Sequence, residues 1–283
     1  PEKRAKTFGL IGVAFGLSFF LGNIFVVIFA KNTNNNFIIP VLIASIIPII
    51  NFLLVFFYLP ETKPNSDSNK SKTILKNPLK ALFTVFKEEK IKKLSLAFFI
   101  YFIAFTGLTN ILIFFLQESL NWTTKASSGT LVVVGIIAII VQGGLIGPLV
   151  KQFGEMRLTL IGSGFILVAC ALLITAPKEN ATINIYSAVS FLAVGAGLIT
   201  PTLRALISKK LDIDKQGSIL SNLQGLQSLG GVLGIAMAGR VYDSFGPKSP
   251  FIAGSVILLF MIYLIAEGKS NNSFNNQKSK VLK

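Results

Sequence analysis

Eight stretches of about twenty apolar residues, almost free of charge, follow one another along this chain. Crossing a hydrocarbon core of about 30 Å at about 1.5 Å per helical residue takes a run of that length. The stretches are Phe8–Ala30, Phe37–Leu59, Leu94–Gln117, Ser127–Val150, Leu158–Ala176, Asn184–Ser208, Gly217–Val241 and Pro250–Ala266. A backbone in lipid must satisfy its own polar groups, which leaves only the helix or the closed barrel. A barrel would show shorter segments of alternating hydrophobicity, so these windows predict eight transmembrane helices. Hydrophobic residues make up 52% of the chain and charged residues 14%, against about 25% charged in a soluble globular chain. The fold class expected is all-α integral membrane, with the lipid bilayer as its first partner.

The formal net charge of +15 would suit nucleic acid, but its placement points elsewhere. When the chain is entered from the cytoplasm, 21 of its 27 Lys and Arg fall on cytoplasmic segments and five on the opposite side, with Arg204 left inside a span. Short cytoplasmic loops of membrane proteins carry such an excess. Both termini of the chain are therefore expected in the cytoplasm, and no nucleic-acid partner is expected. Histidine is absent, and the single cysteine, Cys170, lies in an apolar window. That removes His-based metal ligation and any intramolecular disulfide. No carboxylate pair lies within a span to serve acid–base chemistry, so neither an enzyme, a metal site nor a cofactor is expected.

Residues 60–93 are the one long polar run between apolar blocks. Pro64–Lys72 is rich in Ser, Asn and Lys and reads as flexible. Asn77-Pro78 then offers a helix cap and a proline for the first helical position. Leu75, Leu79, Leu82, Phe83 and Phe86 share a face flanked by Lys76, Lys80, Lys87 and Lys90. The spacing predicts a short amphipathic helix on the inner membrane surface. The chain thus divides into two helices (1–59), a cytoplasmic linker (60–93), a six-helix bundle (94–267) and a cytoplasmic tail (268–283).

Polar residues inside the windows are few enough to serve as candidates. At 100° per residue, Thr106, Asn110 and Gln117 fall within about 40° of one another. Asn110 is then either interhelical glue or cavity lining. Gln142 stands just before Gly143-Gly144, and the seventh window holds Asn222, Gln224, Gln227 and Ser228. Asn110, Gln142, Asn222, Gln224 and Gln227 are the candidates for a substrate cavity, where neutral groups would recognise a ligand by hydrogen bonds and packing. Arg204 lies one turn from the inner end at Ser208-Lys209-Lys210. It either snorkels to the interface or makes an inner-gate or substrate-charge contact. A break at Thr200-Pro201 would bring backbone carbonyls to the cavity wall. Gly12 with Gly16, then Gly22, and Gly230 with Gly234 are expected to pack helices closely, since glycines four apart share a face. The window Leu158–Ala176 lacks polar groups beyond hydroxyls and Cys170 and is expected at the lipid-facing periphery. Arg240 and Asp243 are expected to pair at the surface.

Several motifs carry a family resemblance. Pro1-Glu2-Lys3-Arg4-Ala5-Lys6-Thr7-Phe8-Gly9-Leu10-Ile11-Gly12, followed by Ala14-Phe15-Gly16-Leu17, resembles the loop and start of the fifth helix in the major facilitator superfamily, above all in its tetracycline and multidrug efflux branch. Gly147-Pro148-Leu149-Val150-Lys151-Gln152-Phe153-Gly154-Glu155-Met156-Arg157 resembles the second-half copy of that superfamily's short cytoplasmic loop. Leu223-Gln224-Gly225-Leu226-Gln227-Ser228-Leu229-Gly230 and Gly239-Arg240-Val241-Tyr242-Asp243 resemble the eleventh helix and its outer end.

The resemblance covers the whole chain as helices five to twelve, the C-terminal two-thirds of a twelve-helix fold, and implies four N-terminal helices as missing partners. It also implies a secondary transporter in a bacterial inner membrane, an antiporter exporting a small amphipathic compound in exchange for protons as two halves rock around a midplane cavity. Gly147, Lys151, Gly154, Arg157 and Arg204 would then belong to an inner-face loop and gate. The alternative is a non-transporting membrane scaffold or sensor, or an inactive truncated transporter.

Overall fold

The computed structural model describes residues 13–14, 16–18, 20–28, 38–58, 82–177 and 181–281. Among these residues there is no strand, and the regular elements are helices. In chain order they are α1 (Gly16–Ile28), α2 (Ile38–Tyr58), α3 (Lys92–Ser119), α4 (Thr124–Phe153), α5 (Glu155–Ile174), α6 (Thr182–Lys209), α7 (Ile213–Phe245) and α8 (Ser249–Val281).

Among the described residues, six stretches are long and apolar enough to cross a membrane: Val41–Tyr58, Lys92–Ser119, Thr124–Phe153, Glu155–Ile174, Thr182–Lys209 and Ser249–Glu267. Two of the eight expected windows fall short of that measure for different reasons. The first is described only in part, as the apolar helix α1, because the rest of its window lies outside the described residues. The seventh lies in α7, a helix of 33 residues, where Ser, Asn and Gln dilute the apolar side chains.

Helices consecutive in the chain run in opposite directions, α3 and α7 run side by side in the same one, and interhelical contacts mark the two ends. Lys93 meets Glu267 at 2.6 Å, Lys209 pairs with Glu155, and Lys215 meets Glu88 at 2.5 Å. This is the basic end. At the opposite end Tyr242 donates to Glu118 Oε2 at 3.1 Å, Lys248 Nζ donates to the Ala176 carbonyl at 3.4 Å, and Trp122 lies against Tyr186.

The core forms around α3, which packs on α7 and α8, while α5 packs along α6. Phe98, Tyr101, Phe115 and Phe251 are fully buried there. Glycine sets the closest approaches, because helices in lipid associate through packing rather than hydrophobic expulsion. A Cβ on Gly162 would stand 2.9 Å from the Gly195 carbonyl oxygen, and one on Gly195 would stand 2.5 Å from that of Gly162. The α5 helix is therefore no lipid-facing bystander: Thr159, Gly162, Ser163, Ile166, Ala169 and Cys170 are buried, with only its far side, including Ile161 and Val168, exposed. Small residues at three- and four-residue spacing make that face, and their modest hydrophobicity hid it. In α1, Gly16 lies 3.1 Å, measured from a Cβ, from the Gly135 carbonyl oxygen of α4, whereas a Cβ on Gly22 meets nothing within 4 Å among the described residues. Gly12 lies outside the described residues.

Most of the expected amphipathic linker helix also lies outside them. Its described end is a 3₁₀ turn, Thr84–Lys87, in which Val85 is fully buried. Phe83, expected on the apolar face, is exposed instead. The segment docks on protein: Leu82 occupies the notch at Gly225, where an added Cβ would overlap Leu82 Cδ2. At the other terminus the helix does not stop at the expected tail, for the α8 backbone stays helical to Val281.

Candidate functional site

Helices α1, α3, α4, α6 and α7 enclose a cavity of about 350 Å³. From α3 come Phe102, Phe105, Thr106, Thr109 and Asn110; from α4 come Leu131, Val134, Ala138 and Gln142. The α6 helix presents Leu192, Gly197, Thr200 and Arg204, and α7 presents Gln227, Ser228 and Gly231. The walls are thus mainly apolar, with a few polar groups converging from different helices. Ligand sites of transporters and enzymes share that pattern.

Two local features place these groups. The α4 helix widens into a π turn at Val141–Leu145, a departure that often sits at functional sites. It carries Gln142, which is buried, and Gly197 opposite leaves it room: a Cβ there would stand 3.0 Å from Val141 Cγ1 and 3.6 Å from Gln142 Cγ. The α6 helix stays continuous through Pro201, so the expected break with carbonyls at the wall does not occur. The Thr200 side chain faces the cavity instead, within 3.2 Å of the Tyr101 hydroxyl.

Arg204 is the only charged side chain among the cavity-lining residues described. Its Nη2 donates to Gln224 Oε1 at 2.7 Å and to Gln227 Oε1 at 2.5 Å, and its guanidinium carbon lies 5.9 Å from the Phe98 ring centroid. This excludes the snorkelling posture. Side chains on a helix lean toward its N-terminus, and α6 starts at the far end, so Arg204 tips away from the basic surface. Gln224 and Gln227 lean the opposite way on antiparallel α7 and meet it.

The Major Facilitator Superfamily model matches residues 1–235. The chain belongs to the Major Facilitator Superfamily. It is 24% identical to mouse Major facilitator superfamily domain-containing protein 10, covering 94% of this chain and 60% of that protein. It is also 24% identical to the class B tetracycline resistance protein of Escherichia coli, covering 86% of this chain and 58% of that relative. The chain thus spans about 60% of the length of such relatives. Among solved structures, the human organic anion transporter MFSD10 (TETRAN) superposes with a TM-score of 0.75 at 20% identity, over 94% of this chain and 64% of that one. That likeness carries the fold, while membership of the superfamily and the apolar helices make this an integral membrane protein.

Within this superfamily frame the cavity gathers Asn110, Gln142 and Gln227, while Gln224 stands behind them against Arg204. Asn110 is half committed to its own helix, donating from Nδ2 to the Thr106 carbonyl at 2.9 Å. Asn222 is a correction: it is absent from the cavity wall and donates from Nδ2 to Thr84 Oγ1 at 3.0 Å. Five residues of helix turn it about 140° away from Gln227, which directs it to the docked linker end.

The superfamily loop at the end of α4 reverses through Gly154, whose φ of +75° disfavours a side chain. A Cβ on Gly147 would meet nothing within 4 Å among the described residues. Lys151 and Arg157 are exposed and join none of the ion pairs found among the described residues. The pair beside the loop joins Glu155 to Lys209, neither of which stood among the expected gate residues. A signal was present: an acid in the first turn of α5 and a lysine in the last turn of α6 both complement their helix dipoles. Arg240 and Asp243, three apart, form no ion pair there either, and Tyr242 between them reaches Glu118. Gly230 and Gly234 face α3, with a Cβ on Gly230 3.1 Å from the Phe99 carbonyl oxygen. No cluster of three or more His, Cys, Asp or Glu able to hold a metal occurs among the described residues.

Proposed function

We propose that this chain supplies helices five to twelve of a twelve-helix secondary transporter, with all eight helices crossing the membrane and the basic end in the cytoplasm of a bacterium. It exports a small amphipathic compound bearing a negative charge, in exchange for protons. The cavity wall is the substrate surface of this half, with Asn110, Gln142 and Gln227 as hydrogen-bonding groups. Proton coupling falls to the four helices that complete the fold.

The observation that carries the charge of the substrate is Arg204, turned into an apolar cavity with neutral partners. A buried cation is expensive unless something answers it, and an arriving anion does so. The tetracycline resistance relatives support an export role, and human MFSD10, itself an organic anion transporter, supports the sign of the charge. The basic residues gathered at one end support the orientation.

The test is the full-length protein in proteoliposomes, with an aromatic carboxylate dye and an imposed pH gradient. Gradient-driven dye movement that disappears in Arg204→Gln is expected. Movement independent of the gradient would reject the antiport, and movement unaffected by Arg204→Gln would reject the anionic substrate.

A further inference from the structure

Arg204 keeps unusual company for a cation inside a membrane protein. Both of its hydrogen-bond partners are amide oxygens, Gln224 Oε1 and Gln227 Oε1, and both accept from the same nitrogen, Nη2. A guanidinium has five N–H donors. The two on Nη2 are therefore taken, and those on Nη1 and Nε have no protein acceptor among the described residues. No Asp or Glu lines the cavity among those residues either. The side chain is fixed in position, yet its full charge is left uncancelled.

Resting on the anionic reading above, we infer that Gln224 and Gln227 are positioning residues that set the charge class of the ligand. They orient the guanidinium as a carboxylate would but keep its charge available. The cavity thus takes a compound with one anionic group, of carboxylate or sulfonate kind, on an apolar body that carries a ring. With Nη2 occupied, the two-pronged grip that arginine gives a phosphate or carboxylate through paired N–H groups is reduced to hydrogen bonds from Nη1 and Nε. One charged group is matched, and a doubly charged one is left in excess. The Phe102 and Phe105 rings, with Leu131, Val134 and Leu192, form the surface for the apolar body. A volume of about 350 Å³ is at the small end of the range for drug-sized ligands.

Replacing Gln227 by Glu changes one atom and almost no volume, but sets a carboxylate against the guanidinium and neutralises it. The experiment measures binding of three probes of similar shape to the full-length protein in detergent: 2-naphthoate, 2-naphthamide and 2-naphthylmethylammonium. Wild type is expected to bind the naphthoate best. Gln227→Glu should weaken the naphthoate by about tenfold or more, the scale of one charge-assisted contact, and bring the amide level with it or ahead. Gln224→Glu combined with Gln227→Glu should favour the ammonium. Gln227→Met, which removes the acceptor without adding charge, should weaken the naphthoate while it remains the preferred probe. Thermal unfolding of each variant reports whether the fold persists, and the order of the three probes is a readout that a merely structural role would leave unchanged. If Gln227→Glu folds and still prefers the naphthoate by the wild-type margin, the inference is overturned and the anionic reading stands. If Arg204→Gln binds the naphthoate as wild type does, the anionic reading falls with it.

Discussion

Gly234 of α7 lies against the backbone of α3 so closely that a Cβ on it would overlap the carbonyl oxygen of Ile103. Backbone cannot swing aside as the tip of a side chain can, so a methyl group there must push two helices apart. Gly234→Ala is expected to destabilise the bundle by about 1–3 kcal/mol, the usual cost of overpacking. Gly239→Ala, on the same helix with nothing within 4 Å among the described residues, should stay within about 0.5 kcal/mol of wild type. Thermal unfolding in detergent compares the two, and equal effects would remove Gly234 from the α3–α7 contact.

A different outcome is expected at Gly225, where the atom that a Cβ would overlap is Leu82 Cδ2. That atom is the end of a flexible side chain. Gly225→Ala should displace the linker end and leave the bundle intact. Limited proteolysis near Leu82 should accelerate while the unfolding temperature barely moves; unchanged proteolysis would mean that Leu82 does not anchor the segment.

Lys215 and Glu88 form a further tie between the linker end and α7, beside Asn222 with Thr84. Lys215 lies ahead of the expected span Gly217–Val241, and its ammonium titrates above the ordinary lysine range, chiefly because it donates to Glu88 and secondarily through that charge. A cation with a raised folded-state pKa contributes stability that is full below its unfolded value and lost as pH rises through the folded one. The tie should therefore hold from neutral pH up to the ordinary lysine range and loosen only beyond it. Lys215→Gln should loosen it already at neutral pH. Hydrogen exchange of residues 84–91 reads both effects, and exchange in the variant matching wild type at neutral pH would contradict the role of the pair.

Thr159 and Thr202 bring their hydroxyl oxygens within 2.8 Å between α5 and α6, both buried. Each hydroxyl also has a carbonyl of its own helix as an acceptor, Glu155 for Thr159 and Leu198 for Thr202. One of the two therefore donates across the helices, while the other accepts and donates within its own. Removing one partner therefore strands little. A double-mutant cycle of Thr159→Val and Thr202→Val should give a coupling of about 0.6 kcal/mol, as interhelical hydrogen bonds in membranes typically do. A value above about 2 kcal/mol would show that the carbonyl bonds do not shelter the survivor.

Much of this architecture could be read in advance, because the bilayer imposes one length and one polarity on anything that crosses it. Length and apolarity located the helices, and clustered lysines located the basic end. The polar candidates were legible as a set, since few polar residues sit in the apolar windows. Their destinations were not. Asn222 and Gln227 look alike in the sequence, yet one meets Thr84 and the other Arg204. Five residues of rotation separate them, and only the position of neighbouring helices says which face is the cavity.

Arg204 carries the same lesson along the helix axis. Its distance from Lys209 is written in the chain, and from distance alone the basic surface is within reach. The direction of α6, and the presence of antiparallel α7 offering two amide oxygens, turn it inward. The sequence by itself determined that this protein is a bundle of apolar helices and which few residues could be polar within it. Tertiary structure decided which of them converge, because helix rotation, tilt and the glycine contacts that set spacing depend on partners far away in the chain.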